Sequence, residues 1–227
     1  MKLFAIICTR TKDLSPTTST LVNTLSSYGV EVKLLVNQQS IFDAYQKGLE
    51  KCDAKDKDII ICCHDDLELK STKSQFLVGI SKCVSQETGI VGIAGTTLLD
   101  SDAVWWNQER WQAGLHRGFV IHYNNEHKKL HDTHYGSHGQ VVALDGLFLA
   151  ARKEVWETVG FKKPPYFEGE WDFYDIHYTT TAHHLGFKNY TVPIKMIHYS
   201  SGELVGRDSW HKNRNAFINN TKLPIRI

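Results

Sequence analysis

Short apolar runs alternate with helix-like segments through the first hundred residues, and this alternation limits the fold more than any other feature. The apolar runs are predicted strands, and they cover Leu3 to Cys8, Val30 to Val36, Ile59 to Cys63 and Gly89 to Gly95. The segments between them have apolar residues at helical spacing, and the first begins with Ser15 as N-cap and Pro16 at the first helical position. We therefore predict an α/β fold with a Rossmann-like, mostly parallel central sheet flanked by helices.

The rest of the chain is less regular but contains no segment that looks like a linker. Strands are predicted at Gly118 to Tyr123 and at Gln140 to Leu144, with a polar, histidine-rich connection between them. Helices are predicted at Lys153 to Val159 and at Phe173 to Leu185. Residues 1–227 are therefore expected to form a single domain.

The composition argues against an obligatory polyanionic partner. The 227 residues include 26 Lys and Arg against 25 Asp and Glu, so the net charge gives no overall electrostatic attraction to nucleic acid or an anionic membrane. Hydrophobic residues make up 41% of the chain, which indicates a folded protein. No apolar run approaches the roughly 20 residues of a membrane span, and the apolar start is interrupted at Thr9 before the length of a signal peptide. The five cysteines have no metal-ligand spacing. We expect buried thiols in a cytoplasmic protein.

Acidic residues directly follow the strand that ends at Cys63. Asp65 and Asp66 then stand beyond the carboxyl end of a buried strand, where open α/β sheets bind their ligands. Two adjacent carboxylates repel each other unless a cation lies beside them, and oxygen ligands favour Mg²⁺ or Mn²⁺. A solvated acidic turn is the alternative, and a lone Asp-Asp pair would favour it.

Three further groups of residues allow more than one interpretation. Trp105, Trp106 and Trp111 are either a stacking platform for a sugar or base, or packing residues. Four histidines from His127 to His138 have spacings that would suit zinc on a helix, but nearby glycines argue against a helix. The C-terminal segment is basic, with the residues Arg207, Lys212, Arg214, Lys222 and Arg226 against Asp208.

Four motifs are spread in order over nearly the whole chain. They are His64-Asp65-Asp66, Ile90 to Gly95, Leu144 to Arg152, and the segment from Phe167-Glu168 through Tyr174-Asp175-Ile176 to His198-Tyr199-Ser200-Ser201-Gly202. Together they resemble the family-2 glycosyltransferases of the A-type fold, most closely the small, single-domain glycosyltransferase-like subgroup. The first motif is similar to that subgroup's His-x-Asp form of the metal-binding Asp-x-Asp motif.

The resemblance implies an inverting transfer of a sugar from a nucleoside diphosphate sugar, with a UDP-sugar expected, to an acceptor hydroxyl. It implies Asp66 and His198 as ligands of Mn²⁺ or Mg²⁺, which would neutralise the leaving diphosphate. It implies Asp175 as the catalytic base, with Asp172 as the rival candidate. Near a helix N-terminus, the carboxylate form of Asp175 would be favoured.

The resemblance also divides the chain into two functional halves. Residues 1–100 would bind the nucleotide sugar, and residues 101–227 would bind the acceptor and carry the base. The donor contacts that it implies are Thr9, Arg10, Asn37, Asp65, Asp145 and Gly146. His64 and His177 depart from the family's usual Asp, so their roles stay open.

Two acceptors and two other classes of function are compatible with these residues. The acceptor is either a glycan or a hydroxymethylated base in viral DNA, since the basic C-terminal segment could contact phosphate and the tryptophans could receive a base. A nucleotide-sugar-binding module without catalysis, and a metal-dependent hydrolase or pyrophosphorylase, are the alternatives from other classes.

Overall fold

The predicted alternation of strands and helices is confirmed by a computed structural model, which describes residues 1–124, 127–200 and 208–227. The first elements are β1 (Leu3–Cys8), α1 (Pro16–Ser27), β2 (Val30–Leu35), α2 (Ile41–Glu50), β3 (Ile59–Cys63), β4 (Leu67–Leu69), α3 (Lys73–Ile80), β5 (Thr88–Gly92), β6 (Ala94–Thr96) and β7 (Leu98–Leu99). The chain continues with α4 (Gln108–Gln112), β8 (His116–Asn124), β9 (Lys129–Gly136), β10 (Gln140–Val141), β11 (Ala143–Leu144), β12 (Phe148–Arg152), α5 (Lys153–Val159), α6 (Tyr174–His184), β13 (Lys188–Thr191), β14 (Met196–His198), α7 (Asp208–Asn220) and β15 (Ile225–Arg226).

Seven strands form the central sheet, in the order β10-β13-β5-β12-β3-β1-β2. Five of them, β2, β1, β3, β5 and β13, run in one direction. β12 is antiparallel to both of its neighbours, and β10 is antiparallel to β13. Every residue of β1, β3, β5 and β12 is buried, as expected for strands covered on both faces. The prediction of a mostly parallel sheet flanked by helices is confirmed.

The reversed strand β12 brings two distant parts of the sequence together. Its first residue, Phe148, lies opposite Cys63, the last residue of β3. The residues before β12 therefore lie beside those that follow β3, and the His64 N–H donates to the Leu147 carbonyl at 3.0 Å. This register places Gly146 next to the acidic residues that follow β3.

A second sheet has the order β11-β6-β8-β14-β4, with β9 paired to β8. β14 is antiparallel to β4, with His198 opposite Leu67, so His198 lies beside Asp66. A polar connection was predicted between the strands at Gly118 to Tyr123 and Gln140 to Leu144. This prediction is wrong, because Lys129–Gly136 within that connection form the strand β9. Most of its side chains are exposed, and a polar sequence is typical of such an edge strand.

The C-terminal helix α7 packs against earlier parts of the chain. Trp210, Asn213 and Phe217 are buried on one face of this helix. Arg207 and the motif residues Ser201 and Gly202 lie outside the described residues. All five cysteines are buried free thiols. Within the described ranges, we find no helix whose length and apolarity would let it cross a bilayer.

Candidate active site

A cleft of about 470 Å³ opens at the carboxyl ends of β1 and β3. All of the predicted site residues except Thr9 and Asn37 line it. They are Arg10, Asp65, Asp66, Asp145, Gly146, Asp172, Asp175 and His198. The structure therefore collects residues from six separate positions along the chain into one concave surface, as is common for ligand sites in α/β proteins.

Thr9 and Asn37 do not line the cleft: Thr9 is buried, and Asn37 is exposed. The Thr9 hydroxyl donates to the Thr11 carbonyl at 2.5 Å, and the Asn37 N–H donates to the same carbonyl at 3.0 Å. Asn37 has a left-handed backbone, with φ 53°, and asparagine tolerates this conformation better than most residues. Both residues hold the loop that carries Arg10 and Thr11, and these two line the cleft.

Two histidines and one aspartate meet at the centre of the cleft. The nitrogen and oxygen atoms of His64, Asp66 and His198 lie within 4.8 Å of one another. Asp66 Oδ1 is 3.7 Å from His64 Nδ1 and 3.5 Å from His198 Nε2. The Tyr199 N–H donates to the Asp66 carbonyl at 2.9 Å, which ties the two strand ends together. The predicted pair Asp66 and His198 is thus brought together, and His64 joins it.

The facing atoms of this group fit a bound cation. Asp66 Oδ1 and His198 Nε2 are both buried, and neither has a hydrogen-bond partner among the described residues. Buried polar atoms are normally satisfied, so two such atoms aimed at each other across 3.5 Å indicate a missing partner. Burial opposes the charge of Asp66, but His198 and His64 together lower the pKa of Asp66 to about 2. The carboxylate is therefore ionised and available as a ligand.

Asp175 lies at the N-terminal end of α6 and faces the same cleft. Its Oδ2 accepts a hydrogen bond from the Gly146 N–H at 3.0 Å. Burial, followed by the neighbouring Asp145, raises the pKa of Asp175 to about 7, against backbone hydrogen bonds that lower it. The expectation that the helix N-terminus would favour the carboxylate is therefore outweighed, because desolvation dominates.

The two other carboxylates of this region have different surroundings. Asp145 Oδ1 accepts a hydrogen bond from the Leu147 N–H at 3.1 Å, and burial raises the pKa of Asp145. The carboxylate of Asp172 accepts a hydrogen bond from the Ser209 hydroxyl at 2.6 Å. Asp172 is thereby tied to α7, whereas Asp145 and Asp175 lie next to Gly146.

The three tryptophans singled out in the sequence have separate positions. Trp105 is buried and packs against Tyr135, with ring centroids 5.1 Å apart. Trp106 lines the cleft beside Trp210, at 5.6 Å. Trp111 does not line the cleft, and its indole N–H donates to the His134 carbonyl at 2.9 Å. Trp105 and Trp106 therefore line the cleft. Trp111 is instead hydrogen-bonded to the strand β9.

The histidine-rich segment and the basic segment do not form sites of their own in the described structure. His131 and His134 are three residues apart on the strand β9, so their side chains point to opposite faces. Lys212 forms ion pairs with Glu168 at 3.1 Å and with Asp208 at 3.2 Å. Arg214 donates to the Asp102 carbonyl at 2.6 Å.

Several residues that line the cleft were not predicted from the sequence. Tyr174, Trp171, Trp210 and His122 all line it. The aromatic run that leads into Asp175 was a signal for Trp171 and Tyr174. Nothing in the sequence pointed to His122, because its position opposite His198 depends on the pairing of β8 with β14.

Comparisons with known proteins give a family and similar folds. A family model described as a glycosyltransferase-like family matches residues 5–220. No match was found among curated proteins. One similar solved structure is A197 from STIV, with a TM-score of 0.51 and 16% identity over 88% of this chain and 86% of that one. Another is GalNAc-T7, solved with UDP, GalNAc and Mn²⁺, with a TM-score of 0.54 and 11% identity.

The two structural likenesses differ in extent. The match to GalNAc-T7 covers 88% of this chain but 44% of that one. At such low identities these likenesses show the fold alone, which is the A-type fold of glycosyltransferases. The family match is different in kind, since it spans nearly the whole length and includes the cleft residues described above. On that match, this chain belongs to the glycosyltransferase-like family.

Proposed function

We propose that the protein is an inverting, metal-dependent glycosyltransferase that moves a sugar from a nucleoside diphosphate sugar to an acceptor hydroxyl. One observation carries the proposal: His64, Asp66 and His198, which could hold a cation, share a cleft with the half-buried carboxyl group of Asp175, whose pKa is raised to about 7. A leaving diphosphate requires positive charge, and an attacking hydroxyl requires a base. The cleft offers residues for both.

Asp66, His198 and His64 are the residues that would hold the cation. When bound, a divalent cation would offset the negative charge that develops on the leaving diphosphate. Two imidazoles and one carboxylate suit Mn²⁺ better than Mg²⁺, which prefers oxygen ligands throughout. The neighbouring carboxylate of Asp65 is within the cleft, and we propose that it contacts the donor ribose.

Asp175 is the proposed base. A base is most effective when its pKa lies near the working pH, because enough carboxylate is then present and the carboxylate still binds a proton well. The pKa of about 7 meets this condition. The Gly146 N–H holds one oxygen of Asp175 at 3.0 Å, which fixes the direction of the side chain. The second oxygen would accept the proton of the acceptor hydroxyl as that hydroxyl attacks the anomeric carbon.

A UDP-sugar is the proposed donor, and a glycan is the proposed acceptor. GalNAc-T7, which shares the fold, was solved with UDP, GalNAc and Mn²⁺. Arg10 and Thr11 line the cleft at the end of β1, where donor phosphates would lie, and the Arg10 guanidinium is 4.4 Å from the centre of the Trp171 ring. Trp106 and Trp210 add flat apolar surface to the cleft, which suits the face of an acceptor sugar.

A two-part experiment tests the function. The purified protein is screened against a panel of nucleoside diphosphate sugars for thermal stabilisation with Mn²⁺ and with chelator, since a ligand of the folded state raises apparent stability. The donor that stabilises is then assayed for nucleotide release with and without glycan acceptors. We expect metal-dependent stabilisation by a UDP-sugar and acceptor-dependent release of UDP.

The matched variant in this test is Asp66→Asn, which keeps the shape of the side chain but removes its charge. It is expected to lose both the stabilisation and the turnover. Full activity in chelator would remove the cation from the mechanism. Release of nucleotide that no acceptor increases would instead support a hydrolase.

A further inference from the structure

The Tyr174 hydroxyl connects the cation-binding group to the backbone beside the base. It lies 2.6 Å from His64 Nε2 and 3.0 Å from the Gly146 carbonyl oxygen. A tyrosine hydroxyl has one proton, and a carbonyl oxygen can only accept. The Tyr174 proton therefore lies on the Gly146 side, and the hydroxyl oxygen must accept from His64.

This arrangement determines which nitrogen of a neutral His64 ring has the proton. Since the Tyr174 oxygen accepts, the proton is on His64 Nε2, and His64 Nδ1 has the lone pair. Nδ1 is the atom that faces Asp66 Oδ1, at 3.7 Å. A neutral imidazole binds a cation through the nitrogen without a proton, and the hydrogen bond of the other nitrogen sets which one that is.

We propose that Tyr174 is a positioning residue, which holds His64 in the tautomer that directs the Nδ1 lone pair to the cation site and so makes His64 its third ligand. The proposal rests on the proposed metal-dependent function for its purpose, but it concerns a bond within the protein itself. In this role Tyr174 would act through His64.

The surroundings of Tyr174 are built to keep its hydroxyl in place. A Cβ at position 146 would lie 2.3 Å from the Tyr174 hydroxyl oxygen, so only glycine allows this approach. Tyr174 and Asp175 are consecutive at the start of α6, and they bind the carbonyl and the N–H of the same residue, Gly146. Phe173, just before them, has a left-handed backbone with φ 67° although it is a buried aromatic residue.

Such strain in a bulky residue is uncommon and is often found at functional sites. Here it turns the chain into α6 so that Tyr174 and Asp175 both reach Gly146. The glycine and the strained residue thus support the same hydrogen bond to His64.

The test compares Tyr174→Phe with Tyr178→Phe. The Tyr178 hydroxyl is also buried and donates to a carbonyl, that of Phe161 at 3.2 Å, but it is not part of the cleft lining. Both variants lose one tyrosine-to-carbonyl hydrogen bond, and only Tyr174→Phe loses a bond to a proposed ligand. Mn²⁺ affinity is measured by calorimetry on each protein without any sugar donor. We expect Tyr174→Phe to bind Mn²⁺ about 10- to 100-fold more weakly and Tyr178→Phe to bind it unchanged.

Two further measurements decide what weaker binding means. In a His64→Ala background, Tyr174→Phe should cause no additional loss of Mn²⁺ affinity, because its effect passes through His64. Nitrogen-15 NMR of the metal-free wild type, at a pH where the His64 ring is neutral, should show its proton on Nε2. A neutral ring with its proton on Nδ1, or equal Mn²⁺ affinity in the two tyrosine variants, would overturn the proposal.

The failure of this inference can be distinguished from the failure of the proposed function. If the wild type binds no Mn²⁺, the metal-dependent function fails, while the NMR signal of His64 still decides whether Tyr174 sets the tautomer. If Tyr174→Phe does not fold, the wild-type spectrum gives the answer alone.

Discussion

At the level of single residues, two half-buried carboxyl groups, Asp145 and Asp175, lie beside Gly146 in the cleft. Burial is the main reason that the pKa values of Asp145 and Asp175 are both raised, and the neighbouring Asp145 raises the pKa of Asp175 further. Two nearby carboxyl groups in a low-dielectric site resist being ionised together. Asp175 can therefore take a proton near neutral pH, which an exposed aspartate cannot do.

The first prediction separates the two candidate bases. We expect Asp175→Asn to lower the turnover of sugar transfer by about 10²- to 10⁴-fold, the usual contribution of a general base, with donor binding retained. Asp172→Asn should have a much smaller effect on turnover, because the Asp172 carboxylate is held by the Ser209 hydroxyl. Turnover numbers and donor affinities of both variants check this. Normal transfer by Asp175→Asn would show that the base is a different residue.

The second prediction concerns the pH dependence of stability in chelator. Because the pKa of Asp175 rises from 3.8 to about 7 on folding, the folded state binds the proton more tightly. Stability is then gained as the pH falls from above 7 towards 4, and it is lost as the pH rises through 7. The side chain of Asp175→Asn cannot ionise. The free energy of unfolding of this variant should therefore exceed that of the wild type by about 2 to 4 kcal/mol near pH 8. Denaturant unfolding at several pH values tests this.

The difference between the two proteins should shrink as the pH falls to about 5, where Asp175 is protonated in the wild type. Asp172→Asn serves as the control for the loss of a buried aspartate. A pH-independent difference between Asp175→Asn and the wild type would contradict the raised pKa.

At the level of elements, helix α7 holds one side of the cleft, and its buried residue Asn213 makes most of the hydrogen bonds. The buried Asn213 accepts the N–H groups of Glu168 and Gly169 and donates to the carbonyls of Gly169 and Asp172. All four partners belong to the segment that carries Trp171 and Asp172 into the cleft. A helix in the C-terminal segment thus orders a loop that precedes it by about forty residues.

The third prediction follows from this contact. Asn213→Ala should lower the free energy of unfolding by about 2 to 4 kcal/mol, because it leaves buried backbone groups without partners. Asn220→Ala is the matched control on the same helix, since the exposed Asn220 donates to the Ala216 carbonyl one turn before it, and its effect should stay below about 0.5 kcal/mol. Denaturant titration measures both. Equal effects would mean that the loop is held by other contacts.

The elements that the sequence predicted well are those whose apolar pattern reflects burial. β1 matches its predicted bounds, and α5 does too. The strand β9 was not predicted, because most of its side chains are exposed and its sequence therefore lacks the alternation of apolar and polar residues. Apolar residues at helical spacing continue from Phe76 to Val84, but the α-helix ends at Ile80 and a short 3₁₀ turn follows. Leu77 and Val84 are exposed, so this part of the apolar pattern does not reflect burial.

At the level of the whole molecule, the cleft depends on strand directions that no local pattern reveals. The carboxyl ends of β1 and β3 were predictable as one edge, and with them Arg10, Asp65 and Asp66. His198 and His64 meet only because β14 is antiparallel to β4. Gly146 reaches Asp175 and Tyr174 because β12 is reversed within a mostly parallel sheet. The resemblance to a family identified these residues, whereas composition and periodicity could not.

The last prediction concerns duplex DNA, which the basic C-terminal segment suggested as an acceptor. The net charge is +1, and within α7 both cations already have partners: Lys212 pairs with two carboxylates, and Arg214 binds a backbone carbonyl. A cation that must leave an ion pair gains little from a phosphate. We therefore expect only non-specific affinity, in the range of about 10⁻⁴ to 10⁻⁶ M, which falls steeply as salt rises.

Filter binding at about 50 mM and about 200 mM salt measures this affinity and its salt dependence. Lys222 and Arg226 are exposed, so removing both by alanine substitution should reduce the slope of log affinity against log salt by about two units if they contact phosphate. Lys212→Ala should leave the slope unchanged, because its charge is already neutralised by Glu168 and Asp208. Tight binding that persists at the higher salt, and that weakens in Lys212→Ala, would show that α7 exchanges its ion pairs for phosphates and would favour a nucleic acid over a glycan as the acceptor.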